Sequence, residues 1–219
     1  MSSRIVPTIP ERPTDPARGA AGSRPSFIRR LDLYDNSDFD RGAGRIKEAL
    51  WVLCKCLFFL NPFPWPSLLR VTLLRLFGAT VGSRVVIRSG VNITFPWRAR
   101  LGNHVWLGED VLILSLAPVV IGSNVCISQR AFLCTGSHAW RSETFDLKTR
   151  PIVVEDGVWI SAQSFVGPGV SIGGNSVVSA GTVLMKDLPP NSLARGNPAI
   201  VTPILSRETT HPTPKEIAA

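Results

Sequence analysis

The chain has 219 residues, a formal net charge of +8 at pH 7, and 18 residues each of Gly and Pro against only 8% aromatic residues. This length accommodates one core-bearing domain with appendages. The charge would suit a nucleic acid, but the Arg residues are spread through the whole chain and no basic run alternates with aromatic residues. Nucleic acid is therefore not expected as a partner, and a smaller anionic ligand or a membrane surface is favoured.

Residues 1–26 are predicted to form a disordered tail. They repeat Pro, Arg, Ser and Gly and have almost no large apolar side chains after Ile9, so they cannot bury enough surface to offset chain entropy. They also lack the apolar segment of a secretory signal. The four cysteines form no CxxC pair, which favours a reduced cytoplasmic setting over disulfides or zinc.

Two helices are predicted next. The apolar run 46–60 ends at a proline-rich segment and is shorter than the roughly 20 apolar residues that span a bilayer. It either packs on the rest of the fold or on a neighbouring subunit, or it rests as a monotopic helix on the inner membrane. A second, shorter helix over 67–77 carries Arg70 and Arg75 among its leucines.

From Val81 to Leu184 an aliphatic residue returns at every sixth position, apart from three interruptions. A small residue usually stands four positions later, and Gly often follows the aliphatic directly. Short strands that bend at this interval need inward apolar side chains and corner residues that tolerate positive φ, so the pattern predicts an all-β solenoid. The repeated aliphatics are Val81, Ile87, Ile93, Leu101, Leu107, Ile113, Ile121, Ile127, Leu133, Val154, Ile160, Val166, Ile172, Val178 and Leu184.

Three hexapeptides make one triangular coil of about 18 residues, which gives about five coils. The interruptions add two residues after Ile93, two after Ile113 and about fifteen after Leu133, so every insertion leaves the solenoid at the same corner. The longest insertion is where a functional loop is expected. The helix over 67–77 is expected to cap the first coil, because an uncovered coil exposes unpaired strand edges.

Three further segments stand out. They are Cys-Thr-Gly-Ser-His at 134–138, Pro-Ile-Val-Val-Glu-Asp-Gly-Val-Trp-Ile at 151–160, and the closing Lys-Asp-Leu-Pro-Pro-Asn and Gly-Asn-Pro-Ala within 186–199. Together with the repeat they resemble the hexapeptide-repeat acetyltransferases, most closely the colanic acid biosynthesis type, which is related to the maltose, galactoside and nodulation-factor O-acetyltransferases. The resemblance covers roughly residues 65–202. It implies a left-handed parallel β-helix, a homotrimer and acetyl-CoA as co-substrate.

Acetyl transfer from a thioester to a hydroxyl needs a base near the hydroxyl and a donor for the developing oxyanion. His138 lies in the long insertion within the family's Thr-Gly-Ser-His segment, and its side chain titrates near neutral pH. It is therefore the predicted catalytic base. The family often has Asp after this His, where this chain has Ala139, so Glu143, Asp146 or a backbone carbonyl would have to orient the imidazole.

No metal is expected. The hexapeptide fold also hosts a zinc carbonic anhydrase with three histidine ligands, but only His104 and His138 fall within this solenoid. His104 is assigned to an outward corner without a chemical role.

The resemblance assigns the cofactor contacts residue by residue. Trp159 lies beside the acetyl group, the backbone N–H of Ala162 is the oxyanion donor, and Ala180, Met185 and Lys186 flank the pantetheine and phosphates of CoA. The family's basic residue after Asn-Pro-Ala is Ile200 here, so Arg195 or Arg207 would have to replace its phosphate contact.

The acceptor contacts are assigned in the same way. Simple-sugar acetyltransferases place a polar amide where this chain has Gly108, Glu109 and Asp110. Trp106, Trp140 and Arg141 could form a platform for the apolar faces of a sugar. Ordinary surface or trimer contact is an equally good interpretation for each of them.

These features predict a cytoplasmic, trimeric O-acetyltransferase, peripheral to the inner membrane if 46–60 contacts lipid, that acetylates a sugar hydroxyl in exopolysaccharide or a related glycan precursor. An N-acetyltransferase acting on an amino sugar and a non-catalytic hexapeptide scaffold are the alternatives. The expected organisation is a disordered tail (1–26), a helical region (27–77), the β-helix (78–202) and a flexible tail (203–219).

Overall fold

A computed structural model describes residues 29–204, so the predicted tail at 1–26 and all but the first two residues of the tail at 203–219 lie outside the described part of the chain. Two α-helices, α1 (Arg45–Phe58) and α2 (Ser67–Leu76), precede the strands, and two 3-10 turns cover Leu31–Leu33 and Pro96–Arg98. The strands are β1 (Thr80–Val81), β2 (Val86–Ile87), β3 (Asn92–Ile93), β4 (Ala99–Leu101), β5 (Trp106–Leu107), β6 (Leu112–Leu114), β7 (Val119–Ile121), β8 (Cys126–Ile127), β9 (Phe132–Cys134), β10 (Gly136–His138), β11 (Leu147–Thr149), β12 (Ile152–Val154), β13 (Trp159–Ile160), β14 (Phe165–Val166), β15 (Ser171–Ile172), β16 (Val177–Val178), β17 (Val183–Leu184), β18 (Ser192–Arg195) and β19 (Ile200–Pro203).

The strands form a parallel β-solenoid with three faces. The first face is β1-β4-β7-β12-β15, the second is β2-β5-β8-β13-β16-β18, and the third is β3-β6-β9-β14-β17. The predicted fold class is confirmed, with five complete coils and a partial sixth. The segment from the prolines to Val201 is predicted to add one final strand. The structure has two, because an Ile172–Leu188 bridge and β18 continue the solenoid and β19 folds back antiparallel on β18.

The core is a set of stacked aliphatic columns. On the second face Ile87, Leu107, Ile127 and Ile160 stand in register and are fully buried. Each such side chain contributes about 1.5–3 kcal/mol through burial. Corners between faces take left-handed backbone, and His104 occupies one of them with φ of 56°. The predicted corner position of His104 is confirmed.

All three insertions leave at the corner between the third and first faces, as predicted. The first forms the Pro96–Arg98 turn, the second is the short connection between β6 and β7, and the third forms an antiparallel hairpin of β10 and β11. This shared corner is where the long loop stands off the solenoid.

The two helices cap the first coil, and they do so with hydrogen bonds as well as apolar packing. On the second face, Ser67 and Arg70 form hydrogen bonds with the backbone of Ile87. On the other two faces, Arg75 donates to the carbonyl of Val81 and Trp51 Nε1 donates to that of Ile93 (3.0 Å). An unpaired buried carbonyl would cost about 1–3 kcal/mol. The cap predicted for 67–77 is confirmed, and α1 shares in it.

Candidate active site

The β10–β11 hairpin positions His138. Residues Gly136 and His138 pair with Thr149 and Leu147, and buried Thr135 at the base of the hairpin accepts a hydrogen bond from the Ala117 N–H (3.0 Å). The insertion therefore has a fixed register and an anchored base. It holds the imidazole half-buried at the third-to-first corner.

The His138 imidazole is oriented by one residue of the same loop. Its Nδ1 lies 2.8 Å from the carbonyl oxygen of Phe145, and because a carbonyl can only accept, Nδ1 carries the proton. Nε2 is then an unprotonated acceptor. The Phe145 ring stacks on the imidazole at 4.1 Å with an interplanar angle of 4°. Of the three predicted partners, the backbone carbonyl is the one in contact; Asp146 instead accepts from Ser142 Oγ (3.3 Å).

A segment far away in sequence also contacts the imidazole. The Tyr34 ring meets it edge-on, with ring centroids 5.7 Å apart. The same segment binds the loop through its backbone, since the Arg30 N–H donates to the Glu143 carbonyl and Arg29 Nε donates to the Trp140 carbonyl, each at 2.9 Å. The sequence analysis missed this contact, because no periodic pattern links residue 34 to residue 138. That Tyr34 is the single tyrosine of the chain was the one available signal.

Cys134 lies at the end of β9, close to His138 in sequence, but it is poorly suited to attack a thioester. Its side chain is buried and its Sγ lies 3.1 Å from the Gly136 carbonyl oxygen. Burial raises the pKa of the Cys134 thiol above its ordinary value. The thiol is therefore protonated at neutral pH, whereas the thiolate is the nucleophilic form.

The second face carries the two exposed tryptophans of the predicted site. Trp106 on β5 and Trp159 on β13 stand in one outward column, separated by Cys126. Trp159 Nε1 donates to Ser128 Oγ (2.9 Å), which fixes its indole. A groove of about 420 Å³ lies beside Trp106 and Cys126 of this column and is also lined by Arg88, Glu109 and Gln129.

The predicted acceptor carboxylates lie at the edge of this groove. Glu109 accepts hydrogen bonds from Arg88 Nε (2.7 Å) and Gln129 Nε2 (3.2 Å), and the bond from Arg88 lowers the pKa of Glu109. Asp110 at the corner pairs with Arg130 (3.5 Å). The Glu109 carboxylate is therefore charged at neutral pH and acts as a hydrogen-bond acceptor.

Ala162 adjoins the same region. It shares a depression of about 390 Å³ with Glu109 and Asp110, and its backbone N–H donates to no acceptor among residues 29–204. Ala180 lies one coil further on, where Gly181 donates its N–H to the Ala162 carbonyl (3.0 Å). These two alanines form one edge of the third face.

Met185 and Lys186 lie at the opposite edge of the third face. They line a cavity of about 250 Å³ with Asn197, Pro198 and Ala199. Ile200 is exposed beside this cavity, Arg195 ends β18, and Arg207 lies outside the described residues.

Within one chain, the predicted site residues of the second face and those of the hairpin lie in two separate groups. The first comprises Trp106, Glu109, Asp110, Trp159 and Ala162 on the second face and its edge with the third. The second group is His138 and Trp140 at the third-to-first corner, which is the corner opposite the second face of a triangular coil. Six residues of strand per side put that corner roughly 15 Å from the opposite face. A single subunit therefore does not bring His138 and Trp159 to one acetyl group.

Within residues 29–204 no group of three or more His, Cys, Asp or Glu side chains is arranged to hold a metal ion.

Comparison with known proteins gives consistent relatives, although no family model matches the chain. The chain is 44% identical over 165 residues to the putative colanic acid biosynthesis acetyltransferase WcaF of Escherichia coli K12, covering 74% of this chain and 88% of WcaF. It is 31% identical over 135 residues to the galactoside O-acetyltransferase of the same organism, covering 60% of this chain and 66% of that protein.

A crystal structure of a hexapeptide-repeat acetyltransferase from Vibrio cholerae in complex with acetyl-CoA superposes with a TM-score of 0.65 and 28% identity, covering 74% of this chain and 87% of that one. The parallel solenoid, the hairpin that carries His138 and these similarities all indicate the same family. The chain belongs to the hexapeptide-repeat acetyltransferases, alongside the colanic acid biosynthesis acetyltransferases.

Proposed function

We propose that this protein transfers acetyl from acetyl-CoA to a sugar hydroxyl in exopolysaccharide or a related glycan precursor. The observation that carries the proposal is the His138 imidazole, whose Nδ1 is held by the Phe145 carbonyl so that Nε2 is the free base. The acetyl-CoA complex of the Vibrio cholerae relative supports the donor, and the colanic acid relative supports the class of acceptor.

The proposed reaction is a direct transfer. His138 Nε2 takes the proton of the acceptor hydroxyl as its oxygen bonds to the thioester carbonyl carbon. The Ala162 N–H donates to the oxyanion. The carbon–sulfur bond then breaks, and the CoA thiolate leaves with the proton that His138 carried. No acetyl-enzyme forms, which agrees with the buried, protonated thiol of Cys134.

The cofactor residues follow the groove geometry. Met185 and Lys186 line a cavity long enough for part of a pantetheine chain, and Lys186 supplies a positive charge for phosphate. Ala180 and Ala162 are small, so an extended chain can approach the backbone there, and Trp159 closes the acetyl end.

For the acceptor we propose the groove on the second face. The indole of Trp106 offers an apolar platform, while Glu109 and Asp110 offer charged acceptors for sugar hydroxyls. Trp140 of the neighbouring subunit, exposed in its hairpin with Arg141 over its ring at 4.5 Å, would cover the sugar from the other side.

Oxygen rather than nitrogen is the proposed acceptor atom because a 31% identical relative is a galactoside O-acetyltransferase. The test is a mass-spectrometric screen of neutral sugars, amino sugars and glycan precursors with acetyl-CoA. An O-acetyl ester, labile to mild base, is expected. Acetylation confined to amino sugars would establish the N-acetyltransferase alternative, and no turnover with any acceptor or with water would leave a scaffold.

We also propose a closed homotrimer. His138 and Trp159 lie on opposite sides of one chain, and a ring of parallel solenoids sets the corner of one subunit against the face of the next. The same contact would cover Trp106 and Trp159, both exposed in the single chain.

We place the enzyme in the cytoplasm, with peripheral contact between residues 46–60 and the inner membrane. Both interpretations of this helix have support, because Trp51 and Cys54 of α1 are buried while Leu50 and Leu53 are exposed. No helix within residues 29–204 is long and apolar enough to cross a bilayer.

A further inference from the structure

The outer side of α1 is an uncharged apolar stripe. Ile46, Leu50, Leu53 and Leu57 recur at intervals of four and three residues, so they lie on one side of the helix, and between 50% and 79% of each is exposed. The other exposed positions from Ala49 to Leu57 are Ala49, Val52 and Cys56, which are also uncharged. A soluble monomer rarely leaves such a contiguous apolar surface bare.

The short helix α2 extends this surface. Leu68 and Leu76 are 74% and 76% exposed, whereas Val71 and Leu74 of the same helix are buried. We call the combined surface of Ile46, Leu50, Leu53, Leu57, Leu68 and Leu76 the end face.

The end face points along the solenoid axis, away from the coils. The inner side of each helix bonds to backbone carbonyls of the first coil that a further coil would otherwise pair, through Trp51, Arg70 and Arg75. Parallel strand pairs bond along the solenoid axis, so these contacts place both helices beneath the open end. Their opposite sides therefore face outward from that end.

The charge around the end face is positive. Of the five basic residues in 45–77, Lys55, Arg70 and Arg75 bond inward to the solenoid or the cap, and Arg45 and Lys47 are exposed. The one acidic residue of this range, Glu48, is paired with Arg41. Arg45 and Lys47 lie in the first turn of α1, beside the apolar stripe. Apolar side chains bordered by cations complement a bilayer that contains anionic lipid.

We propose that the end face docks on an anionic bilayer with the solenoid axis upright, so that both helices and not 46–60 alone contact lipid. This inference rests on the proposed trimer and membrane contact. A ring of three parallel solenoids puts three end faces in one plane, and a flat bilayer engages them together, which multiplies a weak single contact. A second trimer on the same face is disfavoured, because it would bring the exposed Arg45 and Lys47 of both trimers together, while Glu48 is already paired with Arg41.

The experiment uses the full-length protein and sedimentation with large vesicles of phosphatidylcholine, with or without 30 mol% (about one lipid in three) phosphatidylglycerol. The double variant Leu50→Asp/Leu53→Asp changes only exposed side chains of the end face. The matched control is Ile200→Asp, because Ile200 is 71% exposed but lies on β19 at the opposite end of the solenoid. We expect partition onto anionic vesicles to fall about tenfold or more in the double variant and to stay unchanged in the control.

Folding and orientation have their own measurements. Light scattering and thermal melting verify that each variant keeps the assembly and stability of the parent. A polarity-sensitive fluorophore on exposed Cys56, in a chain with Cys126→Ser, should shift to the blue when anionic vesicles are added. The same fluorophore on Ile200→Cys, with Cys56→Ser as well, should not shift.

Three results would overturn the inference: vesicle binding by the double variant equal to that of the parent, binding that is equal without anionic lipid, or a parent that doubles its trimer mass through the end face. Acetyl transfer to a soluble acceptor is assayed in the same samples without lipid. If the parent protein transfers acetyl but does not bind vesicles, only the docking inference fails. If it binds vesicles but does not transfer acetyl, only the proposed function fails.

Discussion

The Nδ1 atom of His138 lies 2.8 Å from the carbonyl oxygen of Phe145, and the two rings stack in parallel 4.1 Å apart. One residue therefore sets both the tautomer and the plane of the imidazole. Phe145 holds this position with a φ of 53°, a left-handed conformation that is uncommon for a bulky side chain. Non-glycine residues in this region often belong to functional sites.

Replacing Phe145 by Leu should remove the stack and keep the backbone carbonyl. A stacked aromatic pair is worth about 0.5–1.5 kcal/mol, so we expect kcat to fall about 2- to 12-fold while the KM for acetyl-CoA stays unchanged. Phe39→Leu is the matched control, since Phe39 stacks on Phe95 and not on the imidazole. Equal kcat values for the Phe145 variant and the parent would show that the stack does not position His138.

Cys134 should be chemically quiet. Burial raises the pKa of its thiol and limits access to it, whereas the Cys56 side chain is exposed. Iodoacetamide followed by peptide mass spectrometry should modify Cys56 first, and Cys134→Ala should keep most acetyl transfer. Rapid alkylation of Cys134 that also abolishes activity would argue for a nucleophilic role.

Trp51 should matter for stability through its hydrogen bond to Ile93. The indole is fully buried and its Nε1 donates to the Ile93 carbonyl (3.0 Å) at the open edge of the first coil. Trp51→Phe leaves that carbonyl unpaired, and we expect a loss of about 1–3 kcal/mol in urea unfolding at fixed protein concentration. The same change at exposed Trp140 should have little effect on stability. A Trp51 variant as stable as the parent would mean that the edge needs no capping bond.

If each active site is shared between two subunits, two impaired variants should complement each other in mixed trimers. His138→Ala and Trp159→Ala are each expected to be impaired alone. After co-expression in equal amounts, about a quarter of all sites should be active if each site takes one residue from each of two neighbouring subunits. Light scattering of the parent should give three times the chain mass of 23.8 kDa. A stable, active monomer, or mixed trimers without recovery, would contradict the proposed assembly.

The solenoid could be predicted from the sequence because the interactions that form it are local and repeat at a fixed interval. Each inward residue, such as Ile87 or Leu107, meets the same requirement for burial, and all three insertions fall at the same corner of the coil. The partial sixth coil was not predicted in full, because Pro189 and Pro190 interrupt the period and pairing resumes only through Leu188 and β18.

The site was less predictable, since it depends on contacts without a period. His138 stood out by its motif, but the Phe145 carbonyl that orients it is a backbone atom and leaves no trace in the sequence. The Tyr34 contact joins segments over a hundred residues apart in the chain. The apolar run 46–60 gave two interpretations because α1 has two apolar sides, and only the structure separates buried Trp51 from exposed Leu50.

The most direct test of the account is single-turnover and steady-state acetyl transfer by His138→Ala. General-base catalysis typically contributes a factor of roughly 10² to 10⁴, so kcat should fall by about that much while the affinity for acetyl-CoA, measured by calorimetry, barely changes. His104→Ala, at a corner of the solenoid, is the matched control and should turn over as the parent does. Normal turnover by His138→Ala, or an acetylated Cys134 captured by rapid quench, would contradict direct transfer by this imidazole.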